Sequence, residues 1–116
     1  MRHHNANRKL GRQTDTRRAL MRSLAEALFS KGQIKTTDAK ARELRSFAEK
    51  LITRAKINTV ASRRAIISRL GTEKRTKVLL DKVAPKYLDR PGGYTRIIKL
   101  PNRNTDGSKM AIIELV

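Results

Sequence analysis

Between residues 38 and 56, apolar side chains recur as a helix requires. In DAKARELRSFAEKLITRAK, Ala41, Leu44, Ala48, Leu51, Ile52 and Ala55 fall at i, i+3, i+7, i+10, i+11 and i+14, and so share one face. Thr36 or Thr37 stands where the cap belongs. Upstream, TDTRRALMRSLAEALFSKG (14–32) repeats the pattern with Leu20, Leu24, Ala27 and Leu28, widened by Met21 and Ala25. Thr14 or Asp15 is expected to cap this helix, and Gly32 to end it in a left-handed turn. The short β-branched run QIKTT (33–37) between the two helices predicts a strand.

Further along, NTVASRRAIISRLG (58–71) predicts a third helix with Ile66, Ile67 and Leu70 inward and Gly71 closing it. Thr72 caps a fourth helix expected to run to about Val83, with Leu79, Leu80 and Val83 apolar and Pro85 just past its end. YTRIIKL and KMAIIELV are strand-like, and the turn-rich PNRNTDGS between them predicts a hairpin. The order is helix, strand, three helices, β-hairpin. It defines a single two-layer α+β domain over residues 13–116, a small sheet packed on helices.

Residues 1–12, MRHHNANRKLGR, depart from every pattern above. They hold four bases, two histidines and no acid, with only Met1, Ala6 and Leu10 apolar. Burial cannot offset the entropy of ordering such a segment, so it is expected to be a basic N-terminal extension that orders only against a partner. Residues 1–22 carry seven bases and one acid, so Arg2, Arg8, Lys9 and Arg12 of the arm share a field with Arg17, Arg18 and Arg22, which lie off the apolar stripe of the first helix.

The whole chain extends that bias. Its formal net charge is +18, from 28 bases and 10 acids, and sixteen of the bases are arginine, whose planar fork suits phosphate. Such a field opposes folding unless a polyanion relieves it, which points to nucleic acid. The absence of cysteine removes disulfides and thiolate metal sites and fits a reducing compartment. No apolar run approaches the length of a membrane span, and no secretory h-region follows the basic start. The expected setting is therefore cytoplasmic, without a membrane partner.

Catalysis finds no support in the pattern. The two histidines, His3 and His4, are adjacent in the arm, away from any carboxylate that could orient them. Gly92–Gly93 precede a strand, whereas a phosphate loop opens a helix with a lysine and a hydroxyl. No enzymatic activity, small-molecule substrate, cofactor or metal is expected. The ten acids are scattered beside bases at spacings that suit i,i+3 and i,i+4 pairs.

The mode of binding can be narrowed. The aromatics are Phe29, Phe47, Tyr87 and Tyr94, and both phenylalanines occupy helical core positions, so there is no platform for stacking unpaired bases. Recognition of folded nucleic acid by phosphate position and groove shape remains. Residues 58–84 could form a DNA-reading pair of helices, which makes a nucleoid or regulatory DNA-binding protein the alternative. Against it, the bases are spread over the arm, two helices and the hairpin loop rather than gathered on one recognition helix.

RPGGYTRI (90–97) leads into the hairpin. Its proline and glycines suit a sharp turn, and Arg90 and Arg96 flank it with Tyr94 between them. Taken with MRH at the start, RKLGR (8–12), IKTT and KARELR (34–45), LITRAK (51–56), APKY (84–87) and MAIIELV (110–116), this stretch gives the chain a close resemblance to the bacterial large-subunit ribosomal protein seventeen family. The motifs stand in the family's order across almost the whole chain.

That resemblance implies an α+β domain with helices on one side of a small sheet. It implies a structural protein of the large ribosomal subunit, bound to its ribosomal RNA near the exit of the peptide tunnel and beside neighbouring large-subunit proteins. The N-terminal segment would lie along RNA. Arg2, His3, Arg8 and Arg12 in the arm and Arg90, Tyr94 and Arg96 at the turn match the family's motifs, as do Lys40 and Arg45.

Overall fold

The computed structural model describes residues 14–116. Helix α1 (Thr14–Lys31) is followed by strand β1 (Gln33–Thr37), helices α2 (Asp38–Ile57) and α3 (Val60–Leu70), the short α4 (Glu73–Val78), and strands β2 (Thr95–Leu100) and β3 (Met110–Leu115). The α+β order matches the expectation from periodicity. The proposed boundary at residues 12 and 13 lies outside the described residues.

Local chemistry sets the ends of these elements. Gly32 and Gly71 take φ of +83° and +92°, which a side chain would resist, and their N–H groups return to the carbonyls of Leu28 and Ile67. Thr37 caps α2 and Thr72 caps α4, while Thr59 and Ser62 form a reciprocal capping box on α3. Thr14 and Asp15, expected as caps, are already within α1.

The fourth helix departs from the expected regular run to Val83. It is α-helical only to Val78, then widens into a π turn over Leu79–Val83 and tightens into a 3₁₀ turn over Ala84–Tyr87. The Ala84 N–H reaches back to the Leu79 carbonyl. Pro85 has no N–H to continue a regular ladder, and its ring would crowd the carbonyl four residues back. The widened turn lets Leu79, Val83, Ala84 and Tyr87 all face inward.

The three strands form one antiparallel sheet in the order β1-β3-β2. Register places Ile34, Ile113 and Ile97 on one rung facing the helices, and Lys35, Ile112 and Ile98 on the next rung facing away. The core lies between the sheet and the helices. It is built from all six residues of the α2 stripe with Ala25, Leu28, Ile66, Leu70, Leu79 and Ile113. Helix α2 touches every other element except α4 and serves as the hub. Among the described residues, no helix is long and apolar enough to cross a membrane.

Candidate nucleic-acid interface

Where α1 crosses α2, the buried stripe of each helix turns inward and leaves a flank of each exposed. The two flanks, with the end of α3 and the turn at Gly92, enclose a groove of about 1120 Å³. Six bases line it, Arg17, Arg18 and Arg22 from α1, Lys50 and Arg54 from α2 and Arg69 from α3, against two acids, Glu43 and Glu49. Glu49 is already engaged, because its Oε2 accepts from the Thr95 backbone at 3.3 Å and from the Thr95 hydroxyl at 2.8 Å.

The bases differ in how far they are committed. Arg18, Lys50, Arg54 and Arg69 are exposed and have no acid partner among the described residues. Arg17 makes a long contact of 3.4 Å to the Thr14 hydroxyl. Arg22 donates to the carbonyls of Arg69 at 2.9 Å and Ser68 at 3.2 Å, satisfying the open end of α3, and its guanidinium lies against Gly71. These carbonyls carry partial negative charge only, so Arg22 remains a net cation on the groove wall.

Elsewhere, arginines are largely neutralised. Arg42 pairs with Asp38, Arg75 with Glu26, Arg96 with Glu114 and Arg103 with Asp106. The hydrogen bonds from Arg103 hold the Asp106 carboxyl well below the usual carboxylate range. The groove differs in gathering six bases on one concave surface, none of them in an ion pair among the described residues.

Of the other residues expected at a binding site, Lys40, Arg90 and Arg96 fall outside the groove, and Tyr94 is buried in its wall. Lys40 is half-buried in the first turn of α2, where its backbone N–H donates to the capping Thr37 hydroxyl. Arg96 lies on the outer sheet face, bound across the strands to Glu114 with an Nε–Oε1 distance of 2.7 Å. Arg90 is exposed beside the groove rim, its Nε 3.3 Å from the Gly92 carbonyl. Tyr94 is only 1% exposed, and its hydroxyl meets Thr53 Oγ1 at 3.2 Å and Lys56 Nζ at 3.0 Å. Its ring packs edge-on against Tyr87, with centroids 5.3 Å apart. Any part Tyr94 plays in binding passes through the turn it anchors. Arg2, His3, Arg8, Lys9 and Arg12 lie outside the described residues.

Lys50 and Arg54 escaped the reading of the sequence. The signal was present, since Glu43, Phe47, Lys50 and Arg54 follow one another at i, i+4, i+7 and i+11 along the flank of α2 next to its buried stripe. What the sequence did not supply was the facing wall. Arg69 had only its charge to mark it until α3 was placed beside α1.

The fold and the groove define a small basic α+β domain whose cationic face suits a polyanion. Residues 20–116 match the sequence profile described as ribosomal protein L17, and the chain belongs to that family. It is 50% identical to the large ribosomal subunit protein bL17 of Clostridium acetobutylicum over 94% of this chain and 96% of that one. It is 49% identical to the protein of that name from Sulfurovum over the full length of both.

Proposed function

We propose that this chain is a structural constituent of the large ribosomal subunit that binds and stabilises folded ribosomal RNA through arginine and lysine contacts to phosphate. The observation that carries the reading is the six-base groove in a member of the L17 family. Relatives bearing the name large ribosomal subunit protein supply the assembly, and the groove supplies a means of attachment. The reading is non-catalytic and cytoplasmic, on the ribosome, with large-subunit RNA and neighbouring subunit proteins as partners. The finer placement near the peptide-tunnel exit rests on the family resemblance of the sequence motifs.

The basic arm belongs to the same reading. Arg2, His3, Arg8, Lys9 and Arg12 add contacts along the RNA in this reading, and removal of residues 2–12 is expected to lower RNA affinity and subunit incorporation. The DNA-binding alternative is weakened by Arg75. This base of α4 is tied to Glu26 at 2.8 Å and to the Leu70 carbonyl at 3.1 Å, within a helix only six residues long.

Salt titration of binding to isolated large-subunit RNA tests the attachment. Six phosphate contacts give a log–log slope of roughly −4 to −5, from about −0.7 to −0.9 per contact. A slope near zero would remove the electrostatic basis of the reading. Cosedimentation with the large subunit after a high-salt wash separates a ribosomal constituent, which stays, from a DNA-binding protein, which washes away.

A further inference from the structure

Lys56 stands in the last turn of α2, yet it does not project into solvent as the neighbouring cations do. Among the described residues it is the only lysine whose ammonium donates hydrogen bonds within the protein. One goes to the carbonyl of Arg90 and the other, at 3.0 Å, to the Tyr94 hydroxyl. Both acceptors belong to the turn that leads into β2.

Donor and acceptor inventory fixes the direction of this network. An ammonium can only donate, so Tyr94 Oη accepts from Lys56. The Thr53 hydroxyl spends its single proton on the Glu49 carbonyl at 3.0 Å. The Tyr94 proton therefore goes to Thr53 Oγ1, and the chain runs one way from Lys56 through Tyr94 and Thr53 to the backbone of α2. Each hydroxyl both donates and accepts, so removing either one breaks the chain on both sides.

The turn needs such a fastening. Gly93 takes φ of +62°, Gly92 has no neighbouring atom within 4 Å of where its Cβ would be, and the flanking Arg90 is exposed. On its far side the turn ends at Thr95, which Glu49 holds. Between those points only Lys56 and Tyr94 tie the segment to the helix that forms the groove wall.

We infer that Lys56 and Tyr94 are positioning residues of the binding surface: Lys56 pins the Arg90–Tyr94 turn to the end of α2, fixing Arg90 and the Gly92 rim beside the groove, and does not itself meet phosphate. This rests on the proposed RNA-binding reading. A cation that touches phosphate and a cation that holds a loop both weaken binding when removed. Only the first releases a counterion, so the salt slope distinguishes them.

The test compares Lys56→Met, Tyr94→Phe, Arg54→Met and Arg90→Met, each as the full chain binding large-subunit RNA across a salt series. Arg54→Met and Arg90→Met are expected to reduce the slope by about 0.7–0.9 each. Lys56→Met and Tyr94→Phe are expected to lower affinity about threefold to thirtyfold with the slope unchanged. The slope holds because Arg90 still meets phosphate once the RNA has ordered the loosened turn, and only the cost of ordering it is added. Lys56→Met should add little in the Arg90→Met background, because it acts through that arginine. Amide exchange at Gly92 and Gly93 should quicken in both positioning variants. Tyr94→Phe keeps the buried ring and so carries the test if Lys56→Met unfolds. A slope lost in Lys56→Met to the same extent as in Arg54→Met makes Lys56 a phosphate contact and overturns the inference. Unchanged affinity in both Lys56→Met and Tyr94→Phe also overturns it. If Arg54→Met and Arg90→Met leave the slope intact while Lys56→Met lowers affinity, it is the groove reading that fails.

Discussion

Glu49 and Thr95 join the hub helix to the hairpin through one carboxylate oxygen. Glu49 Oε2 accepts both the backbone N–H and the hydroxyl of Thr95, at 3.3 and 2.8 Å, where Thr95 is 4% exposed. Glu49→Ala would leave two buried donors without a partner, a loss of about 1–3 kcal/mol. Glu49→Gln retains an acceptor oxygen at that place and should recover most of the loss. Denaturant melts of the two variants measure the difference. Equal losses would mean that the charge, and not the acceptor, holds the hairpin.

The stripe on α2 gives a second expectation. Leu44 and Leu51 are 0% and 3% exposed, so truncating either to alanine should destabilise the domain by about 2–5 kcal/mol. Arg45 is exposed and only 3.7 Å from Glu49, so Arg45→Ala should cost about 0–1 kcal/mol. The three melting curves together decide whether the buried face has been assigned correctly.

Gly71 and Arg22 should respond as a unit. A Cβ on Gly71 would sit 3.4 Å from the Arg22 guanidinium, on a backbone with φ of +92°. Gly71→Ala is therefore expected to lose about 1–2 kcal/mol through left-handed strain. Arg22→Ala uncovers the Ser68 and Arg69 carbonyls and should lower both thermal stability and RNA affinity. Arg18→Ala, which has no such structural duty among the described residues, should lower affinity alone. An unchanged melting temperature in Arg22→Ala would show that water replaces the guanidinium without loss.

The two tyrosines should ionise in a definite order. Burial pushes the Tyr94 hydroxyl up, but the hydrogen bond donated by the Lys56 ammonium and the Lys56 charge favour the phenolate and leave the group below its ordinary value. Tyr87, whose hydroxyl donates to the Val116 carbonyl, is pushed up by burial against a smaller pull from the Arg90 charge. On alkaline titration, phenolate absorbance should show an early wave that Tyr94→Phe removes and a late wave that Tyr87→Phe removes. The signs for stability are opposite. With its folded value depressed, Tyr94 adds stability as pH rises through the window up to its ordinary value. Tyr87, with its folded value raised, contributes below its ordinary value and loses that contribution as pH climbs through the folded one. Reversed order of the waves would contradict the direction of the Lys56–Tyr94–Thr53 chain.

Much of the fold can be read in the residues because local and long-range demands agree. All six apolar positions of α2 are buried, and Gly32, Gly71, Thr37 and Thr72 end or begin elements where their chemistry requires. The widened turn at Leu79–Val83 is different. It arises from the conflict between Pro85 and the need to bury Tyr87, and an apolar spacing carries no mark of it. The site shows the same division. Arg17, Arg18 and Arg22 follow from one helix and do line the groove, whereas Lys50, Arg54 and Arg69 join them only through the packing of three helices. Tyr94 was legible as part of a turn, but the hydroxyl's inward partners, Thr53 and Lys56, are some forty positions away in sequence.

The strand order carries a consequence for the history of each molecule. β3 lies between β1 and β2, yet it is synthesised after both. Thr37 cannot meet Met110, nor Thr95 meet Leu115, until the end of β3 has emerged. A nascent chain thus holds two strands with no ladder between them, next to helices that can already coil locally. Closure of the sheet is a single late event, and it brings Val116 against Tyr94 and Tyr87 in the same movement. A ribosome stalled just short of Met110 should hold a helical, protease-sensitive intermediate, and release of the remaining residues should convert it to the resistant form in one step.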